Sequence, residues 1–594
     1  MLISNLKITG YRSLASIDIN LHELLILVGR NNAGKSNILS AINLLLEGTK
    51  SDLSKEDFHK VGSDYTDQLS IEAQFTGVTA YLPLCSEVHR PKIEACVVND
   101  AIRIRRTARH DPIDLSKIEI WQPAKGEFGI PTGLDAAFKQ FLPEVIFIEA
   151  FKDPNTEASS NKSTTILAKL LKQIITQMNE KIGEDVSNAL VAAQRKFNVI
   201  EEDGKTIDER PDDLKRIQNR INDHVREIFS ESQARLVFKF PDLDALMTSA
   251  SVELRDHQSG PWTSPALKGQ GFQRSLYVAL LEALADEIRQ RPEGDPTPRR
   301  PFILLFEEPE IFLHPALQRE IGDILEAIST SNQVALVTHS PMLVTPFRID
   351  SVLIVRQSMG EANVVQSECI CPNADALPNP EDKHLTALLK YTNSAEFLFS
   401  DFVIVVEGPS DRELLNAVWK KVKKQLLPAS NLALAVIDAG SKAVVPTWVR
   451  HLKAIGLDAA GMVDLDFLWD GAGKCLKGHK GLSQLAAEFW KLCDERNLSE
   501  VKDGNHNINS SMKTAAYSIL NTELRPQTTA IIEALRCHRI WTLQNGEIEC
   551  YFGLSQSSKG QYSIVSQKIA RGEVDIAQEI IDFLEWGIKD AKII

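Results

Sequence analysis

Residues 24–47 read LLILVGRNNAGKSNILSAINLLLE, an apolar run, a glycine loop and an amphipathic segment in immediate succession. Few stretches restrict a fold more, because a strand that turns directly into a helix through such a loop belongs in a parallel α/β sheet. Gly29, Gly34, Lys35 and Ser36 fill G-x-x-x-x-G-K-[S/T], and Asn31, Asn32 and Asn37 complete the cradle. Its glycines let backbone N–H groups close around phosphates, its lysine reaches the β/γ oxygens, and its hydroxyl is offered to Mg²⁺. Ile38, Leu39, Ile42, Leu45 and Leu46 recur at helical spacing after the loop, which sets the helix N-terminus under the anion. The expected cofactor is ATP with Mg²⁺ or Mn²⁺.

The chain has 594 residues, 43% of them hydrophobic and 25% charged, so it can build two to four soluble globular domains. No apolar run approaches the roughly 18 residues of a membrane span, and the N-terminal MLISNLKITGYRS lacks the apolar centre of a signal peptide. A cytoplasmic protein without membrane attachment is expected. The eight cysteines are scattered, and the close pair Cys369 and Cys371 has no second pair at zinc-finger spacing, which favours reduced thiols. A net charge of −14 argues against a surface coated in phosphate contacts but leaves room for a local basic channel.

Residues 2–8 and 17–19 alternate as strands around a turn at Gly10, Tyr11, Arg12 and Ser13. Residues 69–75, 93–106 and 143–148 suggest further strands, and His59, His89 and His110 read as surface or packing histidines. From Thr164 the period becomes helical. Leu167, Leu170, Leu171, Ile174 and Met178 form one stripe, and Val186, Ala189, Leu190, Ala193 and Phe197 a second. Leu214, Ile217, Ile221, Val225 and Ile228 form the third, so three amphipathic helices interrupt the nucleotide fold, either as a small helical subdomain with a solvated face or, the reading preferred here, as a dimerisation insert.

The nucleotide machinery resumes at Ala266-Leu267-Lys268-Gly269-Gln270-Gly271, a glycine loop feeding an apolar helix over 276–285. An apolar strand then ends in Glu307-Glu308-Pro309-Glu310, and another, over 334–337, ends in Thr338-His339-Ser340. ATP hydrolysis needs an acid to hold Mg²⁺, a base to orient water and a polar group at the γ-phosphate. Glu307, Glu308 and His339 supply these in order. The series resembles the ABC-type ATPases of the SMC, RecF and OLD (overcoming lysogenisation defect) group, in which two heads sandwich ATP. Glu307 stands where an aspartate is more usual, and Lys268-Gly269-Gln270-Gly271 departs from the transporter-type signature.

A second chemistry begins near Ser394. The apolar strand 402–406 delivers Glu407-Gly408-Pro409-Ser410-Asp411 and a helix; strand, helix and strand follow, ending in Asp464-Leu465-Asp466. C-terminal ends of neighbouring parallel strands converge, so Glu407, Asp464 and Asp466 share a crevice suited to divalent metal. A bare D-x-D would occur about one or two times by chance in such a chain, so the weight rests on the ordered series of elements. That series resembles the Toprim domain of topoisomerases, primases and OLD nucleases. The resemblance implies that Asp411 and Glu549, the latter in Trp541-Thr542-Leu543-Gln544-Asn545-Gly546-Glu547-Ile548-Glu549, join the metal ligands. It also implies a late lysine, Lys559 or its competitor Lys568.

Fused in this order, the halves resemble OLD-family nucleases, including the nuclease subunit of the Gabija anti-phage system. The fold class expected is α/β, an ABC/SMC-like ATPase head with a helical dimerisation insert followed by a Rossmann-like Toprim domain. The boundaries are 1–155 and 236–385 for the head, 156–235 for the insert and 386–594 for Toprim. The resemblance implies an ATP-regulated endonuclease acting on double-stranded DNA in prokaryotic defence, working as a homo-oligomer, dimer or tetramer; a helicase partner protein encoded alongside is left open. Two other readings stand beside it: an SMC-type DNA clamp with an idle Toprim unit, and a Toprim topoisomerase or primase.

Overall fold

The computed structural model describes residues 1–130, 138–150, 197–238, 250–289, 300–344, 351–371, 395–427, 432–554 and 561–589, with short breaks at 140, 203–204, 230, 256–259, 312, 360–364 and 503–504. Contacts along the chain divide it into two units, Met1–Cys369 and Ile370–Ile594.

The first unit is built on two sheets. Six antiparallel strands run in the order Glu127–Gly129, Glu119–Gln122, Ala101–Arg109, Gln68–Thr76, Leu2–Tyr11 and Leu14–Asn20, with Asp114–Leu115 paired to Ala101–Arg109. Leu69, Ile71, Ala73 and Phe75 alternate into the core, as a half-buried strand demands. The strand expected over 93–106 begins only at Ala101. Residues 93 and 94 instead end a short helix, Arg90–Glu94, started by Pro91, and the chain then reverses through Asn99 and Asp100, both at positive φ.

The second sheet has six strands, in the order Glu144–Ile148, Phe302–Glu307, Gln333–Val337, Leu24–Val28, Val352–Met359 and Val365–Ile370, the first five parallel. Leu24–Val28 and Gln333–Val337 are buried along their whole length, which explains the apolar runs 24–28 and 334–337. The helix after the loop, Lys35–Leu46, contacts both sheets and shares one core with them. Ala41 and Leu44 are therefore buried along with the single predicted stripe.

Of the three predicted insert helices, the third is Asp212–Ile228, with Leu214, Ile217, Ile221 and Val225 buried. It packs on the helix Gln270–Arg289 and on the strand Gln233–Phe238 of a two-stranded hairpin, so this stripe is covered within its own chain. The first two stripes lie, apart from Phe197, outside the described residues.

The second unit carries a parallel sheet of four strands, Leu434–Asp438, Phe402–Val406, Ala459–Val463 and Ile540–Thr542 in spatial order. Phe402–Val406 is central and wholly buried, and the helix Pro409–Leu426 follows it directly. Between the last two strands the chain inserts the helices Lys480–Glu495, Lys513–Thr522 and Arg525–Cys537 and a hairpin, Ser499–Lys502 with Asn505–Ile508. All eight cysteines are unbridged, and no helix among the described residues is long and apolar enough to cross a membrane.

Gly29 shows how tightly the cradle is set. Its φ is +138°, and an added Cβ would lie 2.1 Å from the Val355 carbonyl oxygen, a backbone atom that cannot swing aside. Gly29→Ala is expected to destabilise the first unit by about 1–3 kcal/mol through backbone strain and overpacking. Denaturant unfolding followed by circular dichroism reads this as a lower midpoint; an unchanged midpoint would contradict the geometry.

Candidate functional site

The nucleotide cradle forms where Leu24–Val28 gives way to Lys35–Leu46. Gly34 sits at φ 103° before the helix, and its missing side chain leaves room for the Ser367 hydroxyl. The Lys35 ammonium donates to the carbonyls of Gly29 at 3.0 Å and Arg30 at 2.8 Å and meets His339 Nε2 at 3.0 Å. Burial pulls Lys35 down to about 8, against the opposing pull of Glu308 and Glu310. Asn31 and Asn32 are exposed on the loop, with Asn32 at φ 67°. Asn37 is held beneath it, donating to Ser13 Oγ at 2.8 Å and accepting from Arg12 at 3.3 Å.

Phe302–Glu307 is two strands away from the loop strand, with Gln333–Val337 between them. This order brings Glu307, Glu308 and His339 to the same end of the sheet as Lys35. Glu307 accepts from the Ser36 hydroxyl and the Ala150 amide, although burial dominates and raises its carboxyl above the ordinary value. Ser36 and Glu307 are therefore already together. Glu308 follows at φ 48°, a left-handed conformation rare for a side chain of this size, fixed by its amide donating to Val337 O at 2.8 Å. Its Oε1 is 3.3 Å from His339 Nε2, and burial, with neighbouring Glu310, pushes its carboxyl up to about 8. Glu310 is the organiser behind it, accepting from the amides of His339 at 2.6 Å and Ser340 at 3.0 Å. Burial and then Lys35 lower His339.

In the second unit the parallel sheet does what strand order implied. Glu407 leaves the end of Phe402–Val406 and Asp464 the end of its neighbour Ala459–Val463, while Asp466 sits in the one-turn helix Leu465–Leu468. One carboxylate oxygen from each lies within 4.8 Å of the others. The Asp464 amide donates to Glu407 Oε1 at 3.0 Å, and the Ile548 amide to Asp464 Oδ1 at 3.2 Å. Burial pushes Glu407 up to about 8 and holds Asp464, which is also repelled by Glu407, well above the usual carboxylate range. Asp411, accepting from the Gly408 amide at 2.9 Å, is raised by burial to about 7 and feels Glu549 and Glu547. Glu549 accepts from the Tyr562 hydroxyl at 2.8 Å and stands close enough to repel Asp464 and Asp411.

A divalent cation fits this donor set. Asp466 Oδ1 is buried without a hydrogen-bond partner beside Glu407 and Asp464, and buried like charges of this kind are relieved by a metal.

The late lysine has a different outcome. Lys559 lies outside the described residues, and Lys568 is exposed on the helix Tyr562–Arg571. The basic groups found at the carboxylates are Lys442, 2.7 Å from Asp466 Oδ2, and Lys513, 2.9 Å from the same oxygen and paired also with Glu547. Sequence reasoning missed both lysines. Lys442 follows the end of Leu434–Asp438 by four residues, so the strand-end rule that located the acids could have found it. Lys513 begins an inserted helix and carried no local signal.

Comparison with known proteins agrees with this anatomy. A family model described as AAA ATPase domain matches residues 1–83 and 136–344, and one described as Overcoming lysogenization defect protein-like, TOPRIM domain matches residues 398–466. The chain is 25% identical to the Old nuclease of Escherichia phage P2, over 98% of this chain and 99% of that protein. It is 24% identical to Endonuclease GajA of Bacillus cereus, over 84% and 80% of the two chains, and 22% identical to an OLD nuclease of Thermus scotoductus, over 78% and 82%. With the phosphate cradle in one unit and the strand-end carboxylates in the other, the chain carries an AAA ATPase domain followed by an OLD-like Toprim domain and is similar to OLD nucleases over most of its length.

Proposed function

We propose that this protein is a metal-dependent DNA endonuclease whose ATPase unit regulates cleavage, acting in prokaryotic defence against phage. The observation that carries the chemistry is the convergence of Glu407, Asp464 and Asp466, one of which, Asp466, has a buried oxygen without a hydrogen-bond partner. Relatives over most of the chain are named nucleases, which supports the same reaction class.

Glu407, Asp464 and Asp466 would hold divalent metal, with Asp411 and Glu549 beside them. When bound, Mg²⁺ or Mn²⁺ supplies Lewis-acid stabilisation of the charge that develops on the phosphodiester oxygens. The protein's own part is placement. Backbone amides of Asp464 and Ile548 fix the carboxylates of Glu407 and Asp464, and burial, which raises Glu407 to about 8, disfavours its ionised form unless positive charge is brought beside it. Lys442 and Lys513 place positive charge beside the acids.

In the first unit Lys35 would neutralise the β/γ-phosphates, Ser36 and Glu307 would hold Mg²⁺, and Glu308, braced by His339, would orient water. A clamp with an idle Toprim unit would have no need of three convergent, largely enclosed acids. A topoisomerase would also need an active-site tyrosine in a DNA-gate domain.

Lys35→Ala is expected to abolish ATP turnover, and Glu308→Gln to slow hydrolysis by about 10²-fold or more while nucleotide binding persists, since an amide cannot take a proton from water. Phosphate release and nucleotide-binding assays on folded variants check both; undiminished hydrolysis by Glu308→Gln would move the base to another acid. Asp464→Ala and, separately, Glu407→Ala are expected to eliminate DNA cleavage and leave ATP hydrolysis intact, because the transition-state charge loses several kcal/mol of stabilisation, about 3 or more. Both activities are to be measured on one preparation. Cleavage at the wild-type rate by either variant would overturn the nuclease assignment.

A further inference from the structure

Asp466 is unlike the other acids of the cluster in how its two oxygens are used. Oδ2 receives both ammonium groups, Lys442 at 2.7 Å and Lys513 at 2.9 Å, whereas Oδ1 is buried with no partner. Each lysine is tied on its far side as well, Lys442 to Asp470 at 3.2 Å and Lys513 to Glu547. They arrive from separate parts of the chain, Lys442 from the loop after Leu434–Asp438 and Lys513 from the first turn of Lys513–Thr522.

We propose that Lys442 and Lys513 are positioning residues that pin Asp466 through Oδ2, so that this carboxylate presents one oxygen, Oδ1, in one orientation to a metal. The proposal rests on reading the cluster as a metal centre. A free carboxylate turns about its terminal torsion and can grip a cation with both oxygens. Two charge-assisted hydrogen bonds on one oxygen remove that freedom, and the anchoring acids Asp470 and Glu547 keep each ammonium from being pushed away by the cation.

The arrangement has an electrostatic cost that makes it testable. Two ammonium groups repel the metal that Asp466 is meant to hold, so they weaken its binding while improving its placement. Removing one should then move affinity and turnover in opposite directions. A lysine that merely supported the fold would lower both together, and one irrelevant to the site would change neither.

The test uses the full chain and Lys513→Met, Lys442→Met and Lys513→Arg variants, titrated with Mn²⁺ alone and followed by the electron paramagnetic resonance of the free ion. Plasmid cleavage is then measured at saturating Mn²⁺. Each methionine variant is expected to bind Mn²⁺ on the order of tenfold more tightly. Each should also cleave at least about tenfold more slowly at saturation, with Lys513→Arg close to wild type in both measurements. Unchanged or weaker Mn²⁺ binding in the folded methionine variants, or full cleavage at saturation, would overturn the proposal. If the wild type binds Mn²⁺ in a manner lost in Asp464→Ala but leaves DNA intact, the nuclease reading has failed by itself, and the Mn²⁺ affinities alone decide the pinning. Should Lys513→Met not fold, Lys442→Met and Lys513→Arg carry the same comparison.

Discussion

Glu407, Asp464 and Asp466 are held within 4.8 Å of one another in a buried crevice, and the second unit is arranged around that repulsion. Desolvation and mutual proximity both oppose ionisation, which is why Glu407 is raised to about 8 and Asp464 far above its usual range. A surface loop would let such groups drift apart. The parallel sheet does not, because two of the three leave the ends of hydrogen-bonded neighbouring strands, and the third sits two residues farther on in a tight helical turn. Amide donors to Glu407 and Asp464, and ammonium donors to Asp466, offset part of the cost. A divalent cation would offset more of it.

The first unit solves a related problem with the opposite sign. Lys35 is buried and lowered to about 8, and Glu308 beside it is raised to about 8, so neither carries its charge comfortably without an ionic partner. Glu310 keeps the loop after Gln333–Val337 in place by accepting two amides, and His339 reaches both Lys35 and Glu308 from there. The strand interposed between the loop strand and Phe302–Glu307 thus sets the distance across which these groups work. In both units the chemistry stands at the C-terminal edge of a parallel sheet, with apolar strands beneath that leave the acids nowhere to retreat.

How much of this was legible follows from what is local in the chain. The phosphate cradle reads directly because its parts are contiguous: close backbone approach requires Gly29 and Gly34, and Lys35 and Ser36 must open the helix. Glu307, Glu407 and Asp464 read almost as directly, since each ends or follows an unbroken apolar strand. Apolar content misled over 93–106, where Pro91 and the left-handed Asn99 and Asp100 determine a helix and a reversal. Lys513 was invisible for another reason. Its partners, Asp466 and Glu547, are 47 and 34 residues away, and only the folding of the inserted helices brings the three together. Likewise the stripe of Asp212–Ile228 announced a helix but not its neighbour, which proved to be Gln270–Arg289 of the same chain.

The central claim is that the strand-end carboxylates cut DNA through a divalent metal, and one incubation addresses it most directly. Purified full-length protein is mixed with supercoiled plasmid in Mg²⁺ or Mn²⁺ and, in parallel, with excess chelator, and the products are resolved by gel electrophoresis. The account predicts nicked or linear DNA in the presence of metal and none with chelator. Relaxed closed circles would instead mark a topoisomerase, and unaltered plasmid in every lane would contradict the nuclease and leave a DNA clamp.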